Sequence, residues 1–216
     1  MAVKGILFDL DGTLCNTLED LADATNGVLT RHGFAERPTE NFKQYVGNGA
    51  RMQLKRAIGQ EVEEALFETM LSDYLAAYRV GYLNKTAPYD GVLETVKTLY
   101  EQGITMAVVT NKPQEMATNM VKDLFGDVFG GVWGNNPAFP LKPDPAMTLH
   151  VMEKLHLAAE ETLFVGDSGV DMMTAKNAGL TAVGVSWGFR DREELQTAGA
   201  DYMINHPKEL LGLVLR

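Results

Sequence analysis

One cysteine, Cys15, in 216 residues excludes an internal disulfide and fits a reducing compartment. No apolar run approaches the roughly 20 residues that cross a membrane, and none precedes Asp9 that could act as an export signal. These absences lead us to expect a cytoplasmic protein with no membrane partner. Basic residues are scarce too: 19 Lys and Arg face 29 Asp and Glu, a formal net charge of −10. Such a surface repels phosphate backbones, which argues against a nucleic-acid partner. A small anionic substrate is still compatible, because a few Lys, Arg and backbone N–H groups can reverse the field inside a pocket. The four histidines, His32, His150, His156 and His206, lack metal-ligand spacing and read as surface or core polar groups. Nothing in the sequence signals an oligomeric state.

What the chain does have is an ordinary globular composition, 45% hydrophobic and 22% charged, and enough length for a substantial core. Its eleven Met residues suit adaptable core filling. Strand-like runs recur at 3–8, 105–110, 131–134, 162–166 and 181–187, with helical patterns at 92–102, 113–124, 145–155 and 170–178. Short apolar strands alternating with helices predict an α/β fold, a parallel sheet covered on both faces. Pro113 and Asp144-Pro145 punctuate helix starts, and Gly103 and Gly179 fall at helix ends.

The segment from about Leu18 to Leu83 differs. It shows no clear strand and reads as helices over 18–31, 40–45, 49–58 and 62–82. Roughly 65 residues exceed what a crossover needs. We therefore expect a core of residues 1–16 and 85–216, interrupted by a helical domain of residues 17–84.

Chemistry gathers at the strand ends, where ligands bind in open α/β sheets. After Ile6-Leu7-Phe8 comes Asp9-Leu10-Asp11-Gly12-Thr13-Leu14. Residues two apart on extended backbone share a side, so Asp9 and Asp11 can meet, and Gly12 permits a sharp turn beyond them. Two carboxylates on one spot repel unless a cation or shared proton lies between them. Thr110-Asn111-Lys112 ends the second strand with a hydroxyl and an amide suited to a phosphate. Lys142-Pro143-Asp144-Pro145 fixes a lysine in extended geometry before a helix. Gly166-Asp167-Ser168-Gly169-Val170-Asp171 repeats the opening pattern, an acid at a strand tip with a second acid four residues later. Asp167 could ligate a hard divalent cation such as Mg²⁺. Taken singly, each cluster also reads as a turn, a helix cap or a solvated loop.

Taken together, Asp9, Asp11, Thr110, Lys142, Asp167 and Asp171, in this order and on these elements, resemble the signature motifs of the haloacid dehalogenase superfamily. The likeness covers essentially the whole chain, and within the superfamily it is greatest to the phosphoglycolate phosphatase-like hydrolases. Cys15-Asn16 departs from the aliphatic residue and Asp often found there. The resemblance implies a Rossmann-like core with an inserted C1-type helical cap. It also implies a phosphatase acting on a small phosphorylated metabolite, with Mg²⁺ as cofactor. By the same likeness Asp9 is the nucleophile, forming an aspartyl-phosphate, and Asp11 is the acid and base. Lys142 is the countercharge, and Thr110 and Asn111 bind the phosphate. The metal falls to Asp9, the Asp11 main chain and Asp167, with Asp171 acting indirectly.

Val46-Gly47-Asn48-Gly49-Ala50-Arg51 resembles the family's cap loop, which marks Asn48 and Arg51 as candidate substrate contacts for 2-phosphoglycolate. Pyrophosphate, nucleoside or sugar phosphates and a phosphomutase reaction are the alternatives. A phosphomutase is expected to carry Glu where this chain has Gly166, and a dehalogenase would lack Asp11. A non-enzymatic regulatory member would have lost one of the acids or Lys142. Cys15 reads as a small packing residue.

Overall fold

The computed structural model describes residues 3–214; residues 1, 2, 215 and 216, at the ends of the expected core, lie outside the described residues. Strands β1 (Gly5–Phe8), β2 (Thr105–Pro113), β3 (Val132–Asn135), β4 (Thr162–Gly166), β5 (Thr181–Val185) and β6 (Tyr202–Ile204) form one sheet in the order β3-β2-β1-β4-β5-β6. Every pairing is parallel. All four residues of β1 are buried, as expected of a central strand covered on both faces. Alternate residues serve opposite cores. Ile6, Phe8, Met106, Val108, Leu163 and Val165 join one cluster, while Leu7, Ala107, Val109 and Phe164 join the other. This is the α/β architecture expected from the alternating pattern, and the Rossmann-like core that the family resemblance implies. Its strand order reverses at β1, between β2 and β4.

Some boundaries differ from the sequence reading. Strand β2 continues through Asn111 and Lys112 to Pro113, with a register irregularity against β3 between Val109 and Pro113. Strand β6 has three residues at the sheet edge with Tyr202 exposed, too short and too open for a periodic signal. Two six-residue helices near the C-terminus, Arg192–Thr197 and Glu209–Val214, are likewise below the length at which periodicity is legible.

Between β1 and β2 lie helices α1 (Leu18–Arg31), α2 (Phe42–Tyr45), α3 (Gly49–Ile58) and α4 (Glu64–Gly81). The helical pattern over 40–45 resolves into a 3₁₀ turn, Thr39–Asn41, followed by the single turn of α2. This block has its own core, built around Leu21, Leu29, Phe42, Leu54, Met70 and Tyr74. Met116 and Phe189 of the sheet region complete that core, so the block sits directly on the strand ends. Its two connections run side by side, since Cys15–Asn16 pairs antiparallel with Ala87–Pro88. The buried Asp20 carboxylate accepts the backbone N–H groups of Lys85 and Thr86 at 2.8–3.0 Å, fastening α1 to the returning chain. No helix among the described residues is long and apolar enough to cross a membrane.

Candidate active site

Phe8 is in register with Val108 on one side and Val165 on the other. One or two residues further on, Asp9, Thr110 and Asp167 therefore emerge together at the carboxyl ends of three adjacent strands. Gly12 turns the chain back with φ of +86°, and a Cβ there would lie 2.2 Å from Asp167 Oδ2. Both requirements restrict that position to glycine. The turn also seats Thr13, whose hydroxyl donates to Asp167 Oδ1 at 3.1 Å, while the Phe189 N–H donates to Asp167 Oδ2 at 2.8 Å.

Lys142 is buried between two of the acids. Its Nζ donates to Asp171 Oδ1 at 2.7 Å and lies 2.9 Å from Asp9 Oδ1, the latter an ion pair without hydrogen-bond alignment. The other oxygen of Asp171 accepts from the Ser168 hydroxyl at 2.7 Å and the Ser168 N–H at 3.1 Å, a capping box at the start of the helix Gly169–Asn177. Asp171 is thus committed to Lys142 and Ser168. Gly166 faces this carboxylate so closely that a Cβ would come within 2.2 Å of Asp171 Cβ. No larger side chain, glutamate included, fits there.

A second ion pair lies beside the first. Lys112 Nζ is 2.9 Å from Asp11 Oδ1, donates to the Tyr78 hydroxyl of α4 at 2.6 Å, and sits 4.5 Å from the Tyr78 ring centre. The Lys112 side chain is 1% exposed. From the sequence Lys112 is visible only as the last residue of a strand-end cluster, and its pairing across about a hundred positions with Asp11 is a product of the fold.

Four carboxylates, Asp9, Asp11, Asp167 and Asp171, face the two lysines Lys112 and Lys142, which leaves an excess of negative charge in a buried space. Burial, followed by the charge of Asp171, outweighs Lys142 and pushes the Asp9 carboxyl up to about 6. Burial and then Asp171 and Asp9 hold Asp167 well above the usual carboxylate range. Burial pulls the Lys142 ammonium down, but Asp171 and Asp9 overcome it and keep the group above its ordinary value. Oxygens of Asp9, Asp167 and Asp171 lie within 4.8 Å of one another, and Asp9 Oδ1 accepts no hydrogen bond. An all-oxygen donor set, short of positive charge and with a spare carboxylate lone pair, fits a hard divalent cation. Cys15 is buried next to this cluster, and burial followed by Asp11 pushes its thiol far above the reactive range.

The helical block closes over the site. Val46, Gly47, Gly49, Ala50, Gln53, Tyr74 and Tyr78 face Asp9, Asp11, Thr110 and Lys112 across a cleft with about 30 Å³ of free space, room for a water or two. Asn48 and Arg51 are not brought to this cleft. Asn48 Oδ1 accepts from Arg56 Nη2 at 2.8 Å, Arg51 pairs with Glu64 and Glu68, and both residues line a separate cavity of about 350 Å³. Arg56 and the exposed acids of α4 hold these side chains away from the cleft, while Gly47 and Gly49 line it. Asn111 lines the cleft as well, but its amide is spent on structure. Nδ2 donates to the Gly47 and Lys142 carbonyls at 2.9 and 3.1 Å, and Oδ1 accepts from the Lys142 N–H at 2.8 Å. Thr110 lines the cleft, with its Oγ1 3.3 Å from the Lys112 N–H.

Comparison with known proteins agrees with this geometry. Residues 6–185 match the model of the haloacid dehalogenase-like hydrolases. The chain is 33% identical to a phosphoglycolate phosphatase of Pseudomonas putida, over 95% of this chain and 78% of the relative. It is 34% identical to one of Vibrio parahaemolyticus, covering 98% and 96% of the two chains. The crystal structure of a predicted phosphoglycolate phosphatase from Haemophilus somnus superposes with a TM-score of 0.90 at 29% identity, over 98% of this chain and 97% of that one. The chain belongs to the haloacid dehalogenase-like hydrolase family.

Proposed function

We propose that the chain is a phosphatase that hydrolyses a small phosphate monoester through a phosphoryl group carried on Asp9, with 2-phosphoglycolate as the leading substrate. The observation that carries this reading is Asp9 and Asp11 at one strand end, sharing a cleft closed by the helical block. Asp9 attacks phosphorus as the bond to the leaving oxygen breaks, and the Asp11 carboxyl gives that oxygen its proton. Asp11, now ionised, takes a proton from a water that attacks the aspartyl-phosphate, which releases phosphate and restores Asp9. Lys142 holds Asp9 in place and offsets the charge of the phosphoryl oxygens, while Thr110 and nearby backbone N–H groups bind those oxygens.

Asp9, Asp167 and the Asp11 carbonyl would hold Mg²⁺, with Asp171 acting through Lys142 and Ser168. Bound there, the ion supplies the positive charge that lets a carboxylate and a phosphate approach. In the same proposal residues 17–84 form a cap on a core of residues 1–16 and 85–216. In this reading the cap opens to admit substrate and closes over Asp9 again. Gly47, Gly49 and Ala50 lie where the leaving group would sit, so the loop's backbone takes the place of the Asn48 and Arg51 side chains in this reading. A cytoplasmic location belongs to the same reading, supported by the single buried cysteine.

A panel of phosphate esters assayed with Mg²⁺ and ranked by kcat/KM tests the proposal. The expected result places 2-phosphoglycolate first, and a ranking led by nucleotides or hexose phosphates would overturn the substrate. The phosphomutase alternative has the filled space at Gly166 against it.

A further inference from the structure

We propose that Lys112 is a positioning residue for Asp11, and that the Tyr78 hydroxyl of the helical block holds Lys112 in that role only while the block is closed. The inference rests on the reading of Asp11 as the acid and base. An acid that must donate to a departing oxygen works only from a narrow range of directions, and an aspartate on a turn has two side-chain torsions to fix. Lys112 fixes them. Its ammonium is buried, 2.9 Å from Asp11 Oδ1, and no described residue engages the other Asp11 oxygen, which is left for the reacting group. Lys112 is the one cation among the described residues lining the cleft.

The ammonium is itself held from the other domain. The Tyr78 hydroxyl oxygen accepts a hydrogen bond from it at 2.6 Å, and the Tyr78 ring centre lies 4.5 Å away. Tyr78 is 1% exposed and stacks on Tyr74, with ring centres 6.0 Å apart, so its hydroxyl cannot follow Lys112 if α4 swings away. A chain of contacts therefore runs from α4 through Tyr78 and Lys112 to Asp11, and closure of the block completes the acid. Lys112 transfers no proton. The proton passes from Asp11 to the leaving oxygen, while Lys112 holds the carboxyl in line.

Dependence on the leaving group separates this role from others, because a good leaving group departs without an acid. Lys112→Met and Tyr78→Phe would be assayed with Mg²⁺ on 2-phosphoglycolate, ethyl phosphate and p-nitrophenyl phosphate, using kcat/KM, with melting curves to check the fold. For Lys112→Met we expect a loss of about 100-fold on both alkyl esters, the scale of a misplaced general acid, and less than about fivefold on the aryl ester. Tyr78→Phe should show the same pattern at several-fold. A loss confined to 2-phosphoglycolate would overturn the proposal by making Lys112 a carboxylate contact. Equal losses on all three esters, or none, would also overturn it. Should Lys112→Met fail to fold, the alkyl-to-aryl ratio of Tyr78→Phe decides. Wild-type protein inactive on every ester would instead defeat the phosphatase reading, and this inference with it.

Discussion

The sheet side and the helical side of the cleft are built by different rules. Asp9 and Asp167 each stand one residue beyond strands that are paired in register, Phe8 against Val165. In a parallel sheet that register determines both the height and the direction of the next side chain. Across the cleft, the polar side chains that face the acids come from two helices, Gln53 of α3 and Tyr74 and Tyr78 of α4. Which face a helix presents depends on its rotation about its own axis, set here by a core of Leu54, Met70 and Phe42 that no local motif encodes. Asn48 and Arg51 show the consequence. They are suitable residue types in a motif-like loop, yet Arg56, Glu64 and Glu68 claim them on the outer side. Chemistry on a strand tip can be read from sequence, whereas chemistry on a packed helix needs the packing.

The comparison can be broken most sharply at Asp9. Asp9→Asn keeps the shape and removes the nucleophilic charge, so Mg²⁺-dependent turnover should fall by at least about 10³-fold with the melting temperature nearly unchanged. A folded Asp9→Asn that still turned over would show that the strand tip does not carry the chemistry. Asp167→Ala should raise the Mg²⁺ concentration for half-maximal activity by about 10- to 100-fold. An unchanged requirement would remove Asp167 from the metal site.

A smaller effect follows from the raised carboxyls. Asp9 titrates at about 6 in the cation-free protein instead of 3.8, and Asp167 shifts the same way. Between those values the folded protein binds a proton that the unfolded chain has lost, so stability declines as pH rises through that window. Mg²⁺ competes with that proton and should offset the decline. The increase in Tm on adding Mg²⁺ is expected to be larger at pH 8 than at pH 5 by a few degrees, measured by calorimetry. An equal or reversed increase would place the cation away from these acids. The smallest effect is expected across the cleft: Arg51→Ala should change kcat/KM for 2-phosphoglycolate by less than about twofold, since its exposed ion pairs are screened by solvent. A large loss would mean that Arg51 swings into the cleft when substrate binds, and that the motif was the better guide.

Composition and spacing by themselves indicated the parallel sheet and the place of the helical insertion, while the acids and Lys142 were joined into one candidate site only by their resemblance to a family's motifs. Apolar runs bounded by Gly and Pro have one way to bury both faces, and a strand's end is where its next residue meets solvent or ligand. Only the tertiary structure decided that Asp171 is held by Lys142 and Ser168, that Asn111 spends its amide on Gly47 and Lys142, and that Lys112 reaches Asp11 and Tyr78. Each of those contacts joins residues whose distance depends on how a turn closes or how a helix is rotated. The short edge strand Tyr202–Ile204 belongs with them: its pairing with β5 exists because the sheet offers an open edge. Local pattern specified the elements and what their ends carry, and the packing of α3 and α4 over the sheet selected which side chains meet there.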